Sequence, residues 1–312
     1  MPVTAFTHVT AGRGVYKFEM TEQLEMEPFA FTPAVDRLID LALEEDIGTG
    51  DITTDHTVAP RAAGRGSIVA KEDLVVAGLD VTRRVFERLD PGIRFDCRCK
   101  DGKMIAKGET VVRLTGRLAA LLTGERTALN FLQRLSGIAT YVHGCVACLE
   151  GSSVKLLDTR KTTPGWRQLE KYAVRAGGGT NHRLGLYDAV LIKDNHIAAA
   201  GGITAAVTRI RPHIGPGMTI EVETTNQVEV REAIQAGAHI IMLDNMTPDQ
   251  IREAVRTVAG RAKLEVSGGV TQEHLAMLAA TGVDYISSGA LTHSARAVDL
   301  SMYIEAVEKE TA

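Results

Sequence analysis

Apolar positions along the chain fall into two textures. From 34 to 46, in AVDRLIDLALEED, they recur at helical spacing, and Gly48 and Gly50 end that helix. Between Gly64 and Gly116 the pattern turns strand-like, in SIVAKEDLVVAG, IRFDCRCKDGK and ETVVRLTG, with Pro91-Gly92 and Asp101-Gly102 as turns. One helical segment, DVTRRVFERLD, interrupts these strands, so the region predicts an α+β unit. Residues 117–149 read as a long helical stretch that Gly124 and Gly137 are expected to break or bend.

After residue 150 the texture becomes regular. Short apolar segments end in polar residues: VKLLDTRK, AVLIKDNH, TIEVETT, HIIMLDN, KLEVSGG and DYISSGA. Helical patterns such as QVEVREAIQAG and PDQIREAVRTVAG separate them. The polar ends near Arg160, Lys193, Glu223, Asp244, Ser267 and Ser288 lie far enough apart for one strand and one helix each. This alternation predicts a parallel α/β sheet. No Gly-x-Gly-x-x-Gly follows the first strand, so a (β/α) barrel is expected rather than a dinucleotide fold. Six strands are visible, and the barrel is expected to be incomplete. The expected division is an extension over 1–28, poorly ordered; an α+β N-terminal domain over 29–150 with its connecting helix; and a barrel over 151–295. A C-terminal helix over 296–312 is expected to pack back on the N-terminal domain.

Composition narrows the function class. The 312 residues are 45% hydrophobic and 24% charged, which excludes disordered, collagen-like and coiled-coil readings. No apolar run reaches the length of a membrane span. Residues 1–28 hold Glu19, Glu22, Glu25 and Glu27 against Arg13 and Lys17, with no apolar core, which fits neither a secretory signal nor a transit peptide. A net charge of −4 gives no reason to expect nucleic acid as partner. Four cysteines are too few for a disulfide scaffold and point to a reduced, cytoplasmic setting. Cys97-x-Cys99 falls on a strand and Cys145-x-x-Cys148 on a helix, and neither is read as a zinc site.

Groups at the carboxyl ends of barrel strands converge on one face. Residues 155–183 carry seven Lys or Arg against Asp158 and Glu170, although the chain is acidic overall. Arg167, Lys171 and Arg175 recur at helical spacing and read as a solvated helix face. Arg160, Lys161, His182 and Arg183 do not, and are candidates to hold a multiply anionic ligand. Lys193 reads as a further cation for phosphate or carboxylate rather than a Schiff-base nucleophile. Glu223 and Asp244, at the tips of neighbouring strands, suit Mg²⁺ held with phosphate oxygens. Glu221, two residues earlier on the same strand as Glu223, shares its side and is an alternative to it as ligand. Ser267-Gly268-Gly269 and Ser288-Gly289-Ala290 offer backbone N–H groups to a phosphate. His143, His213, His239 and His274 are read as structural.

Several segments together resemble one family. These are Glu45-Asp46-Ile47-Gly48-x-Gly50-Asp51-Ile52-Thr53-Thr54, Glu125-Arg126-Thr127-Ala128-Leu129-Asn130, Ser136-Gly137-Ile138-Ala139-Thr140 and Asp158-Thr159-Arg160-Lys161-Thr162-Thr163-Pro164. Asn181-His182-Arg183, Ile192-Lys193-Asp194-Asn195-His196, Glu221-Val222-Glu223 and Leu243-Asp244-Asn245 follow. In order and spacing, over about residues 33–308, the chain is similar to the quinolinate phosphoribosyltransferases, the carboxylating nicotinate-nucleotide pyrophosphorylases of de novo NAD biosynthesis. The resemblance implies a sandwich-like N-terminal domain, an incomplete barrel, and a homodimer whose active site is shared. Arg126 would reach across the interface, and Thr159, Arg160, His182 and Arg183 would bind quinolinate. Lys161 and Lys193 would lie near the substrates. Glu223 and Asp244 would serve Mg²⁺ and the ribose of phosphoribosyl pyrophosphate, and Ser267, Gly268, Gly289 and His293 would hold its 5-phosphate. The implied products are nicotinate mononucleotide, pyrophosphate and CO₂.

Overall fold

The structure, a computed structural model, describes residues 28–307. The extension expected over 1–28 lies outside the described residues, apart from Pro28. Helix α1 (Pro33–Ile47) starts where sequence chemistry says it should. The Thr32 hydroxyl accepts the Val35 N–H, Pro33 opens the first turn, and Gly48 at φ 55° closes the last. Asp51 caps the short α2 (Ile52–Thr57) through the Thr54 N–H.

Strands β1 (Ala63–Ala70) and β2 (Leu74–Val75) precede α3 (Leu79–Leu89), followed by β3 (Arg94–Cys97), β4 (Met104–Ile105) and β5 (Thr110–Arg117). β1 pairs antiparallel with β5, β5 with β3, and β2 with β4. The 30-residue α4 (Leu118–Ala147) packs against this sheet and α3. It runs unbroken through Gly124 and Gly137, contrary to expectation. Both glycines are packing positions instead. A Cβ on Gly124 would stand 2.8 Å from Leu89 Cδ1, and one on Gly137 would collide with the Arg296 backbone. Among the described residues no helix is long and apolar enough to cross a membrane.

The second unit alternates strands and helices. In order come β6 (Lys155–Leu157), α5 (Arg167–Ala176), β7 (Val190–Ile192), α6 (Asp194–Ala200) and α7 (Ile203–Ile210). β8 (Ile220–Thr224), α8 (Gln227–Ala236), β9 (Ile240–Asp244) and α9 (Pro248–Val258) follow, then β10 (Lys263–Ser267), α10 (Leu275–Ala279), β11 (Tyr285–Ser287) and α11 (Ala290–His293). The strands form one parallel sheet in the order β6-β11-β10-β9-β8-β7. That is a six-stranded barrel left open between its first two strands, and a single parallel bridge from Leu157 to Thr180 lines part of the gap. Leu156, Ile192, Ile220, Val222, Ile241, Leu243, Leu264, Val266 and Ile286 are buried and form the sheet's contribution to the core.

The last described segment is not the expected helix. β12 (Leu300–Val307) pairs antiparallel with β1 from Ala63↔Val307 to Ala70↔Leu300, giving the N-terminal sheet the order β12-β1-β5-β3. The reason is visible in its period: Leu300 and Met302 are buried, whereas Tyr303 between Met302 and Ile304 is 53% exposed. The free edge of β1 supplies the backbone partners that a lone C-terminal strand needs. Residues 308–312 of the expected helix lie outside the described residues.

Candidate active site

Arg160 and Lys161 leave the carboxyl end of β6 on a loop held by its own polar side chains. The Thr159 hydroxyl accepts the Lys161 N–H at 3.0 Å, and the Thr292 hydroxyl donates to the Lys161 carbonyl at 2.8 Å. Buried Glu170 on α5 accepts the Thr163 N–H at 3.1 Å and its hydroxyl at 2.9 Å. Arg160 is half-buried, and its Nε has no hydrogen-bond partner.

The 181–183 segment follows the Leu157↔Thr180 bridge and lies beside this loop, with the His182 N–H donating to Asp158 Oδ1 at 2.8 Å. His182 is tied to β8 and β10: its Nε2 lies 2.9 Å from Glu221 Oε2 and 3.5 Å from Glu265 Oε2. Burial works against a charged imidazole. The hydrogen bonds and charges of the two acids outweigh it and push His182 up to about 10. Its Nδ1 faces the Arg183 N–H at 2.8 Å, a contact that a full imidazolium gives up. The Arg183 guanidinium donates to the Ala189 carbonyl at 3.2 Å. Burial, then the repelling charge of Arg160, hold Arg183 below its ordinary value. The positive charge of Arg160 thus acts on Arg183, an effect that a bound anion would relieve.

Glu223 and Asp244 stand at the tips of adjacent strands β8 and β9. Burial, followed by the charge of Asp244, raises Glu223, while Lys193 at the end of β7 opposes the shift. Their mutual repulsion and all-oxygen donors suit a hard divalent cation such as Mg²⁺. Glu221, the alternative ligand, is 3% exposed and engaged by His182, so the geometry separates the two acids of β8.

The glycine loops close the mouth. Gly268 has φ +91°, and a Cβ there would stand 2.3 Å from Asn245 Oδ1, which packs the end of β10 onto that of β9. Ser267 pairs in register with Asp244. At Gly289 a Cβ would stand 2.6 Å from Lys161 Cδ and 3.1 Å from His293 Cδ2. Lys161, Gly289 and His293 thus meet where β6 and β11 end.

Arg126 is not brought to this mouth by its own chain. It lies exposed on α4 and lines an open cavity of about 320 Å³ with Asp46 and Ile47 of α1, Gly50, Asp51 and Ile52. No barrel residue lines that cavity.

One reading is corrected. Lys171 is no part of a solvated face: it is 1% exposed, with Nζ 2.5 Å from Asp158 Oδ1. Arg167 is also engaged, donating to Thr162 Oγ1 at 3.0 Å and to the Leu184 carbonyl at 3.3 Å. Arg175 alone of the three is exposed. Glu265 was not anticipated. Its signal was an acid at the inward position between Leu264 and Val266 of a short apolar strand.

Comparison with known proteins agrees with this geometry. Residues 51–136 match the family model of the quinolinate phosphoribosyl transferase N-terminal domain, and residues 138–303 that of the C-terminal domain. The chain is 49% identical over 258 residues to a probable nicotinate-nucleotide pyrophosphorylase [carboxylating] of Bacillus subtilis (strain 168), covering 83% of this chain and 89% of that one. It is 37% identical over 334 residues to quinolinate phosphoribosyltransferase [decarboxylating] 1b of Nicotiana tabacum, covering 98% and 95%. The crystal structure of NadC from Streptococcus pyogenes superposes with a TM-score of 0.86 at 40% identity, covering 92% of this chain and all of that one. The chain belongs to the quinolinate phosphoribosyl transferase family.

Proposed function

We propose that this chain transfers the phosphoribosyl group of phosphoribosyl pyrophosphate to quinolinate with loss of CO₂, producing nicotinate mononucleotide and pyrophosphate for de novo NAD synthesis. The observation that carries the reading is the gathering of Arg160, His182 and Arg183 beside the end of β6, a concentration of positive charge in an acidic chain. Two arginines and an imidazole suit a dicarboxylate better than a monocarboxylate. The shared names of the relatives point the same way.

The chemistry asks the protein to position and neutralise two polyanions. Arg160 and Arg183, with Thr159 and the His182 imidazole beside them, hold the two carboxylates of quinolinate and aim its ring nitrogen at the ribose. The nitrogen lone pair forms the bond to the anomeric carbon, while the bond to diphosphate breaks and its electron pair leaves with pyrophosphate. Lys161 and Lys193 balance the charge on the departing group. Ser267, Gly268, Gly289 and His293 hold the 5-phosphate. Glu223 and Asp244 are the residues that would hold Mg²⁺, which when bound neutralises diphosphate charge. The quaternised nitrogen then stabilises the electron pair left on the adjacent carbon as CO₂ departs, and that carbon takes a proton from water. No strong acid or base is required of the protein.

Arg126 completes the recess from a second copy of the chain, in a homodimer with shared sites. Its position beside a cavity apart from its own barrel mouth supports that arrangement. Four free thiols suit a reduced, cytoplasmic setting. The test is an assay of the purified protein with phosphoribosyl pyrophosphate and either quinolinate or nicotinate, reading pyrophosphate and CO₂. Turnover with quinolinate and release of both products is expected; faster turnover of nicotinate refutes the assignment.

A further inference from the structure

Two consecutive residues of α5, Glu170 and Lys171, are buried charges, and each holds a segment that carries candidate site residues. Glu170 fixes Thr163 on the loop after β6. Lys171 ties the end of β6 to the 181–183 segment: its ammonium donates to Asp158 at 2.5 Å and to the His182 carbonyl at 2.9 Å. Asp158 in turn accepts the His182 N–H at 2.8 Å on Oδ1 and the Asn181 side-chain amide at 2.7 Å on Oδ2. The same Asn181 amide donates to the Lys171 carbonyl at 2.9 Å. The turn that presents His182 and Arg183 therefore hangs on two enclosed charges, neither of which is open to a ligand.

A buried ion pair is weak evidence of stabilisation. An apolar pair of similar volume would fill the space without the desolvation cost of two ions. Burial pushes the Asp158 carboxyl up and the Lys171 ammonium down, the direction expected when charge is held at a cost. What the ions supply, and apolar groups could not, is directed bonding to both the N–H and the C=O of His182.

We propose that Asp158 and Lys171, with Asn181, are positioning residues for dicarboxylate recognition. They set the distance of His182 and Arg183 from Arg160 and so match the recess to two carboxylates on one ring. This rests on the reading that the recess takes quinolinate.

The test uses the full-length protein and two variants, the charge-free pair Asp158→Asn/Lys171→Met and the single Asn181→Ala. Quinolinate binding is measured directly by calorimetry, and KM for each substrate at saturation of the other. Misplacement of the turn should weaken quinolinate binding and raise its KM by about 10- to 100-fold. KM for phosphoribosyl pyrophosphate and the unfolding temperature should stay near those of the parent. Unchanged quinolinate binding in a folded variant, or equal loss for both substrates, overturns the proposal. Should the double variant fail to fold, Asn181→Ala decides, because it leaves the ion pair intact. If the parent protein itself binds no quinolinate, the reading of the recess fails; parent-like binding in the variants sinks only the positioning role.

Discussion

Gly137 in the middle of α4 packs directly on the carbonyl of Arg296: a Cβ at that position would stand 2.0 Å from the oxygen. The segment from Arg296 leads straight into β12, so this contact seats the returning chain on the long helix. Alanine in an exposed helix interior gains about 1 kcal/mol over glycine. Here the sign should reverse. Gly137→Ala is expected to destabilise by about 1–3 kcal/mol, because neither backbone can yield freely. Urea unfolding measures it, and a stabilised variant would show that the two backbones are not in close contact.

His182 carries a pH signature. Its affinity for a proton is raised from an ordinary value of 6.5 to about 10, burial being outweighed by Glu221 and Glu265. A raised value in the folded state means that the stabilisation is complete below about 6.5 and fades as pH rises toward about 10. Parent and His182→Gln should therefore differ most in unfolding free energy at the acid end of that window and converge at the alkaline end. A gap that widens with rising pH would contradict the assignment.

Glu223 and Asp244 end neighbouring strands, and the charge of Asp244 adds to burial in raising the Glu223 carboxyl. Glu223→Gln or Asp244→Asn should lower kcat/KM by about 100-fold or more and raise the Mg²⁺ concentration needed for half-maximal rate. Chelation should abolish turnover of the parent while leaving calorimetric binding of quinolinate alone in place. Full activity in excess chelator would remove the metal from the scheme.

Arg126 and Arg183 allow the shared site to be tested by mixing. Arg126→Ala and Arg183→Ala should each be inactive yet folded. After the two are mixed and reassembled, each heterodimer should regain one of its two sites, the one that unites an intact barrel with an intact Arg126. Absence of recovery, with heterodimers present by mass spectrometry, would place Arg126 in the service of its own chain.

The two glutamates of β8, Glu221 buried and Glu223 half-buried, show how far the candidate site could be read from residues alone. Glu221 and Glu223 share a side because strand positions alternate, which follows from sequence. Which of them meets His182 and which meets Asp244 does not, because that depends on the register β8↔β9 and on where the 181–183 turn crosses the barrel. Similarly, Arg160, Lys161, Lys193 and Asp244 could be picked out because polar residues ending apolar strands must gather at one mouth.

The amino-acid order by itself determined the alternation of strand and helix after residue 150, the parallel barrel, and the strand-end residues, since these follow from local periodicity and from the short reach of connections. Only tertiary structure decided that α5 is enclosed almost all round, so that Lys171 became an internal anchor rather than a solvated charge. It also decided that Leu300–Val307 completes a sheet and that Gly137 admits a crossing backbone rather than breaking a helix. A period tells which residues share a face; what covers that face is settled by segments far away in the chain, and the free energy of burial depends on the partner.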